Sequence, residues 1–241
     1  MLKGATFNGV IRIDPGLATV HSMAGLTKIS FVSGHIPGAL AEHFGAISAS
    51  LESLDNDISY RTGAVSPDLA VILAVFGFSV ANELVLMRRE LDDVTAGVTA
   101  TEHAWRISAG RLRSAARIDS SAFPFGWALT APELEIAAQS TGSSGIAFAR
   151  EGWRRTGFVM AGVSAETAYL QRLAVMPTHQ GGGLGAMLTV AALQWAKRSG
   201  AAKMFVNTET DNEAAIGLYV RHGFEVCDGK LLVMERTAAL K

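Results

Sequence analysis

A glycine-rich segment in the last third of the chain has the composition of an anion-binding loop. It runs from Gln180 to Gly185 (QGGGLG), between an apolar strand-like run and an amphipathic helix-like run. Glycines let the backbone approach a ligand closely and turn its N–H groups inward. The N-terminus of the following helix adds unpaired donors and a partial positive charge, which together suit a pyrophosphate. The pattern matches neither a P-loop nor the GxGxxG dinucleotide fingerprint, so the residues alone leave a simple tight turn open.

The other side chains that could take part in catalysis or metal binding are predicted to have structural or surface roles. Cys227 is the single cysteine, and with no base beside it we predict a small buried hydrophobe rather than a covalent acyl carrier. No group of His, Cys, Asp and Glu has metal-ligand spacing, so no metal site is expected. The remaining polar candidates are predicted to be surface groups: His179, His222, Arg111, Arg113 and Arg117.

The residues on both sides of the loop resemble the signature of the GNAT acetyltransferase superfamily. The segment Leu173–Pro177 (LAVMP) fits the Leu-x-Val-x-Pro element, and the loop fits Arg/Gln-x-x-Gly-x-Gly/Ala. Downstream, Asn212–Tyr219 (NEAAIGLY) and Gly223-Phe224 fit the second half of the signature. The resemblance covers residues 103–241 and is nearest the ribosomal-protein alanine N-acetyltransferases. The first half of the chain is similar to the degenerate half of the two-domain mycothiol synthases.

This resemblance implies an α/β fold with a mixed sheet and acetyl-CoA as co-substrate. The pantetheine arm would lie where two parallel strands splay, against the backbone of Leu173, Ala174 and Val175. Asn212 would bond the pantetheine region, and Tyr219, two helical turns further on, would lie near the sulfur and protonate the leaving thiolate. The pyrophosphate would be held by Gln180, Gly181, Gly182, Gly183, Leu184, Gly185 and Ala186.

The resemblance also places the acceptor amine, although it leaves the general base open. Phe125 and Trp127 lie in the segment that shapes the acceptor pocket in GNAT folds, and ordinary core packing is an equal alternative. The alanine acetyltransferases carry a glutamate five residues before the helix asparagine, where this chain has Asn207. Glu209 shares a strand face with Asn207 and lies ~6.5 Å further along at ~3.3 Å per residue. Glu209 is therefore the candidate base, acting through one water, with an exposed strand-end carboxylate as the alternative.

The elements that must position these groups follow from periodicity and capping patterns. Before the glycine loop, the C-terminal part predicts a strand at Arg106–Ser108, a helix around Leu112–Ile118, a capping box at Thr130–Glu133, hairpin strands Gly145–Ala149 and Thr156–Val163, and a strand Thr167–Met176. After the loop it predicts a helix from Leu184 to Gly200, a strand Lys203–Glu209, and a capping box at Thr210–Glu213 that opens a helix ending at Gly223.

An approximate internal repeat indicates a second, related half. Gly77-Phe78 and Gly223-Phe224 are each followed by an apolar run, and each copy predicts a helix stopped by glycine and then two strands. The N-terminal half further predicts strands at Lys28–Val32 and Ile58–Val65 and helices at Pro37–Leu54 and Pro67–Val75. The small, polar segment 92–99 is the candidate linker. We therefore expect a degenerate GNAT-like domain at residues 1–95 and a catalytic GNAT domain at residues 103–241.

Composition agrees with an enzyme of the cytoplasm. The chain has 241 residues, a net charge of −1 and 49% hydrophobic residues, which is enough for one large or two small cores. Near-neutral charge gives no support for nucleic-acid binding. The absence of a signal-peptide core and of an apolar run long enough to span a bilayer predicts no membrane association, and the lone cysteine fits a reducing compartment.

The function that the sequence favours is direct transfer of an acetyl group from acetyl-CoA to a primary amine. The amine belongs to a protein N-terminus or a small molecule, and the oligomeric state is open. Two alternatives remain: a small-molecule acetyltransferase like the mycothiol synthases, and a catalytically silent acyl-CoA sensor.

Overall fold

A computed structural model describes residues 8–9, 18–23, 26–31, 59–95, 105–124 and 126–237. Contacts divide the chain into two compact units, residues 1–85 with 228–241 and residues 86–227. Both boundaries fall inside β-strands rather than in the segment 92–99. The division of the chain into a degenerate domain and a catalytic domain therefore stays a prediction.

The first unit contains an antiparallel hairpin, further strands and one helix. Its strands are β1 (Asn8–Gly9), β2 (Ala18–Met23), β3 (Leu26–Phe31), β4 (Ser59–Val65) and the parts within this unit of β5 (Ser79–Glu90) and β10 (Glu225–Arg236). β2 and β3 pair antiparallel, β3 and β4 pair parallel, and β4 pairs antiparallel with β10. The predicted helix Pro37–Leu54 lies outside the described residues.

Helix α1 (Pro67–Val75) has the bounds that the sequence predicts. Ser66 caps it by accepting the N–H of Leu69, and Pro67 occupies the first helical position, where its missing donor costs nothing. Leu69, Ala70 and Leu73 are buried, and the chain leaves the helix through Gly77 at φ 81°.

The internal repeat recurs in the structure as a helix, a glycine with positive φ and one long strand. The first copy is α1 (Pro67–Val75), Gly77 and β5; the second is α5 (Glu213–Arg221), Gly223 and β10. Each element starts and ends 146 residues after its counterpart, as residues 67–75 against 213–221 show. The predicted pair of strands in each copy is wrong. The residues between the two predicted strands lie within one unbroken strand, because backbone pairing does not depend on whether a side chain is polar.

The second unit is a mixed sheet covered by helices on both faces. Besides β5 and α5, its elements are α2 (Ala109–Ala122), α3 (Ala131–Gln139), β6 (Ser143–Glu151), β7 (Arg154–Ser164), β8 (Thr167–Val175), α4 (Leu184–Arg198) and β9 (Lys203–Glu209). The strand order is β5-β9-β8-β7-β6. β7 pairs antiparallel with both β6 and β8, and β8 pairs parallel with β9. The mixed α/β architecture predicted for this part of the chain is confirmed.

Two different sets of apolar contacts hold the helices to this sheet. On one face, α2 and α3 pack on β6, β7 and β8 through Leu112, Ala115, Ile118, Leu134, Ala138, Ile146, Phe148, Phe158, Met160 and Ala174. On the other face lies α4, since a Cβ at Gly157 of β7 would stand 3.2 Å from Leu188. The glycine is needed because the helix and the carbonyl of Ala174, at 3.1 Å, leave little room for a side chain.

Local signals set some of these bounds correctly and others wrongly. Thr130 and Glu133 form the predicted capping box at the start of α3. The strand predicted at Arg106–Ser108 is wrong, because that segment is irregular and leads directly into the N-cap Ser108 of α2.

Candidate active site

The parallel strands β8 and β9 separate partway along their length. Their recorded pairs are confined to Thr167↔Lys203, Ala168↔Met204 and Tyr169↔Phe205, although β8 continues to Val175 and β9 to Glu209. Beyond residue 170, β8 keeps β7 on one edge and has no partner strand on the other among the described residues. The backbone of Leu173, Ala174 and Val175 therefore borders a cleft.

A β-bulge in β8 lies at the point of separation. Against β7, Ala161 faces Leu170 and Met160 faces Arg172, so Gln171 is the extra residue. A bulge bends the strand and breaks the local ladder. The Gln171 side chain bonds the carbonyl of Ala137 on α3 at 2.5 Å, which anchors the bulged segment to the helical layer.

The glycine loop joins the end of β8 to α4 and presents free N–H groups. Gln180 Nε2 donates to the carbonyl of Val175 at 3.0 Å, which ties the loop to the strand end. Gly181 and Gly183 have φ of 77° and 81°, and a Cβ at either would meet nothing within 4 Å. Gly183 is the N-cap of α4, and the first helical bond runs from Met187 N–H to its carbonyl.

This loop has the geometry of an anion cradle. The N–H groups of Leu184, Gly185 and Ala186 form the first turn of α4 and have no acceptor within the helix. Gly181 and Gly183 beside them are exposed, with open space where a Cβ would stand, so the loop suits a pyrophosphate, as the sequence predicts. Gly185 also lets α5 approach closely, since a Cβ there would lie 3.4 Å from Leu218 Cδ2. The residue after Leu218 is Tyr219, so the glycine loop and the candidate acid lie on adjoining helices.

Tyr219 is held in a hydrophobic setting on α5. Its side chain is 5% exposed and packs edge-on against Phe224 at a centroid distance of 5.6 Å. Burial raises the pKa of Tyr219 to about 12, and the positive charge of Arg172 opposes part of this rise. The phenol is therefore protonated throughout the neutral range and available as a donor.

Asn212 has a defined structural role at the start of α5. Its Oδ1 accepts the N–H of Ala215 at 3.1 Å, so Asn212 is the N-cap. The capping box predicted at Thr210 is wrong by two residues. Asn212 N–H in turn bonds the carbonyl of Glu209 at 3.1 Å, so the strand end and the helix start are joined by one short turn.

The two acceptor-side residues on β9 share the predicted face. Met204 and Val206 are buried, and the alternation puts Asn207 and Glu209 on the opposite face. Asn207 is exposed and Glu209 is half-buried. Of the two predicted wall residues, Phe125 lies outside the described residues, whereas Trp127 is half-buried and its carbonyl accepts a bond from Arg172 at 2.8 Å.

Sequence reasoning missed a buried ion pair next to these groups. Asp119 of α2 and Arg172 of β8 form a two-bond contact, with side chains 0% and 15% exposed. The available signal was the position of Asp119, which falls at helical spacing from Leu112 and Ala115 on the apolar face of α2, because a buried charge requires a partner. Neither segment alone showed that the partner lay 53 residues away.

The other polar candidates have ordinary contacts. His179 lies 3.0 Å from Glu151, and His222 Nδ1 lies 2.8 Å from the carbonyl of Leu218. Cys227 is half-buried. Within the described ranges, no group of three or more His, Cys, Asp or Glu side chains could hold a metal ion. In the same ranges, no helix has the length and apolar character needed to cross a membrane.

The parted parallel strands, the glycine loop and the helix that follows it all lie within a part of the chain that matches a known protein family. Residues 112–224 match the acetyltransferase (GNAT) family. Residues 112–224 of the chain therefore form a domain of the GNAT family. Members of this family are N-acetyltransferases that use acetyl-CoA as co-substrate and transfer its acetyl group to amines.

Two relatives and one solved structure show how far the similarity extends. A stretch of 56 residues is 41% identical to N-alpha-acetyltransferase 30 of Schizosaccharomyces pombe (strain 972 / ATCC 24843), covering 23% of this chain and 37% of that protein. A stretch of 195 residues is 26% identical to the mycothiol acetyltransferase of Nocardioides sp. (strain ATCC BAA-499 / JS614), covering 70% of this chain and 66% of that protein. The chain thus spans less than two thirds of either relative.

The solved structure is a tandem GNAT protein from the clavulanic acid biosynthesis pathway. It superposes with a TM-score of 0.60 at 12% identity over 93% of this chain and 80% of that chain. At this identity the likeness is one of fold alone, and it agrees with the GNAT fold expected from the sequence.

Proposed function

We propose that the chain is an N-acetyltransferase that moves an acetyl group from acetyl-CoA directly to a primary amine. The observation that carries this proposal is the cleft between β8 and β9, which opens beside a glycine loop with free helical N–H groups inside the family domain. A backbone edge next to an anion cradle matches the two parts of acetyl-CoA, an amide-bearing arm and a pyrophosphate.

The residues proposed for acetyl-CoA suit its chemistry. Leu173, Ala174 and Val175 offer backbone groups along the cleft to the pantetheine amides. Gln180 and residues 181–186 receive the pyrophosphate, where glycines leave space and the start of α4 supplies donors and a favourable dipole. The Asn212 oxygen is engaged as a helix cap, so its amide NH₂ is the part we assign to the pantetheine region.

The reaction requires a neutral amine and a stabilised leaving sulfur. We assign proton removal from the amine to Glu209 through one water, with Asn207 on the same strand face positioning the acceptor. We assign the leaving sulfur to Tyr219. A phenol with a pKa of about 12 is a weaker acid than an ordinary thiol, whose pKa is ~8.5, so Tyr219 stabilises the departing thiolate by donating a hydrogen bond. As the amine nitrogen bonds the carbonyl carbon and the C–S bond breaks, the phenol proton passes to sulfur. The proton that Glu209 took from the amine then returns to the Tyr219 oxygen through water.

The acceptor belongs to one of two classes, and each is favoured by a separate observation. The 41% identity to a relative named an N-alpha-acetyltransferase favours a protein N-terminus, as does the motif resemblance to the alanine acetyltransferases. The longer match, over 195 residues, is to a relative named for a small-molecule substrate. That match extends beyond the 112–224 domain and makes a small-molecule amine the second candidate.

For the first half of the chain we infer a degenerate GNAT-like domain that binds no acetyl-CoA. The inference is supported by the repeated helix, glycine and strand at a constant spacing. The place of a glycine loop in that half, Val32–Gly38, has no Gln/Arg-x-x-Gly-x-Gly pattern. We also place the protein in the cytoplasm, since one lone cysteine suits a reducing compartment.

The test is a thiol-release assay with acetyl-CoA and a panel of peptide N-termini, small amines and aminoglycosides. The proposal expects steady turnover with at least one amine and a mass increase of one acetyl group on that acceptor. Tight binding of acetyl-CoA without turnover on any amine would favour the sensor instead. Selective turnover within the panel decides between the two acceptor classes.

A further inference from the structure

The Asp119–Arg172 pair has the closest charge-to-charge geometry in the described part of the second unit. Asp119 Oδ1 accepts from Arg172 Nε at 2.7 Å, and Oδ2 accepts from Arg172 Nη2 at 2.9 Å. This two-bond arrangement fixes the orientation of both planes as well as their distance. Asp119 has no exposed surface, so the pair is shielded from solvent screening.

The same pair holds the connector between α2 and α3, described here as residues 123–124 and 126–130. Leu129 N–H donates to Asp119 Oδ2 at 2.6 Å, and Arg172 Nη2 donates to the carbonyl of Trp127 at 2.8 Å. The guanidinium carbon of Arg172 lies 3.6 Å from the centroid of the Phe123 ring. One ion pair therefore fixes the connector at three points.

The bulge in β8 is the reason that Arg172 reaches this connector. Leu170 pairs with Ala161 on one face, and Arg172 pairs with Met160 on the face covered by α2 and α3. Strict alternation would have placed Leu170 and Arg172 on the same face. The extra residue Gln171 therefore turns the arginine toward the connector at the point where the cleft opens.

Holding α2 against β8 does not by itself require an ion pair. Burying two charges costs desolvation, and apolar side chains of similar volume often stabilise a fold as well or better. What apolar side chains cannot do is bond the Trp127 carbonyl and the Leu129 amide. The positive charge of Arg172 also opposes part of the rise in the Tyr219 pKa. Arg172 lies in β8 just beyond Tyr169, the last residue of β8 that pairs with β9, so the connector is tied to the strand where the cleft opens.

We propose that the Asp119–Arg172 pair is a positioning device that sets the connector against the acyl-transfer cleft and thereby determines which acceptor amines are accepted. The proposal rests on the proposed acetyltransferase function. Neither residue touches the reacting atoms in this scheme; both act through the Trp127 carbonyl, the Leu129 amide and the Phe123 ring. The acceptor is a primary amine that enters the cleft beside this connector.

The test compares acceptor KM, kcat and acetyl-CoA affinity in three variants. Arg172→Lys keeps the positive charge and removes the planar pair of nitrogens that makes two bonds to Asp119. We therefore expect acceptor KM to rise ~10-fold, as for one lost charge-assisted hydrogen bond. Acetyl-CoA affinity, measured by calorimetry, stays within about twofold because the Gly181–Ala186 cradle is untouched. Arg113→Lys, at an exposed position of α2, is the matched control and keeps the wild-type KM.

A double variant separates positioning from folding. Asp119→Leu with Arg172→Met removes both charges, so no unpaired charge is left buried. We expect it to fold and bind acetyl-CoA, to exchange the Leu129 amide hydrogen faster than wild type, and to show a narrower spread of kcat/KM over the amine panel.

The outcomes separate this inference from the proposed function. Wild-type acceptor KM and an unchanged spread of kcat/KM in both Arg172→Lys and the double variant would reduce the pair to a structural contact, with the acetyltransferase function intact. A wild-type protein that binds or turns over no acetyl-CoA would overturn the proposed function first, and the inference with it.

Discussion

Tyr219 is buried on α5, the helix that packs near the start of α4 through Leu218 and Gly185. Its proposed role as proton donor can be tested by removing its hydroxyl group. Tyr219→Phe keeps the packing on Phe224 and removes the donor. We expect kcat to fall roughly 10²-fold, at the lower end for general acid catalysis, with little change in acetyl-CoA affinity. Tyr169→Phe, at a partly exposed tyrosine on β8, is the control. A wild-type kcat in Tyr219→Phe would return this tyrosine to a packing role.

The same residue predicts how stability changes at alkaline pH. The folded pKa is about 12 against the ordinary 10.0, so above pH 10 the unfolded chain loses the proton first. The contribution of the buried Tyr219 phenol to the free energy of unfolding is therefore fully present below pH 10 and is lost between pH 10 and about 12. By pH 11 the wild type loses roughly 1 kcal/mol of unfolding free energy that Tyr219→Phe does not lose. Urea unfolding of both proteins at pH 9 and pH 11 measures this difference, and equal losses would contradict it.

The general base is the residue for which the chain departs from the alanine acetyltransferases. If Glu209 takes the proton through water, Glu209→Gln lowers kcat/KM most at mid pH and removes the acidic limb of the profile. Asn207→Ala weakens acceptor binding without changing the shape of the profile. A pH profile of kcat/KM for both variants checks this, and an unchanged profile in Glu209→Gln would remove Glu209 from the catalytic residues.

At the residue scale the sequence indicated the contiguous motifs and missed the distant pair. The loop Gln180–Gly185 could be recognised because its chemistry is local. The Asp119–Arg172 contact could not, since it depends on the extra residue Gln171 that turns the arginine to the other face of the sheet. A bulge changes which face every later residue occupies, and no local signal in β8 marked it.

At the scale of elements, capping residues and glycines predicted the ends of helices and strands better than the positions of polar residues did. The bounds of α1 and β9 follow from Ser66-Pro67 and from the turn after Glu209. The strands β5 and β10 were each divided wrongly into two, because the residues between two apolar runs were taken as a break although one strand continues through them. The parting of β8 and β9 is likewise a property of two elements together and has no signature in either alone.

The glycine loop and the first turn of α4 are proposed to bind the acetyl-CoA pyrophosphate together. A substitution at Gly182 tests this without straining the backbone. Gly183 adopts φ 81°, so any side chain there strains the backbone as well. Gly182 has no such φ, and a Cβ would lie 3.8 Å from the His179 carbonyl, an ordinary contact. We expect Gly182→Glu to abolish acetyl-CoA binding by placing a carboxylate among the anion donors, and Gly182→Ala to retain it. Calorimetry of both variants decides, and equal affinities would contradict the assignment of the loop.

At the scale of the whole molecule, a helix, a glycine with positive φ and a long strand occur twice, 146 residues apart. In the sequence, the pattern Gln-x-x-Gly-x-Gly stands before the second copy at Gln180–Gly185, whereas the corresponding place before the first copy, Val32–Gly38, lacks it. We therefore expect one half of the chain to bind acetyl-CoA and the other half not to bind it.

Calorimetric titration of acetyl-CoA into the 241-residue chain tests this central claim most directly, because the binding stoichiometry is measured independently of the acceptor. The account predicts saturable binding at one site per chain, through the loop Gln180–Ala186. Two sites per chain would show that the first half retains its own cradle and is not degenerate. No binding at all would contradict an acetyl-CoA-dependent transferase.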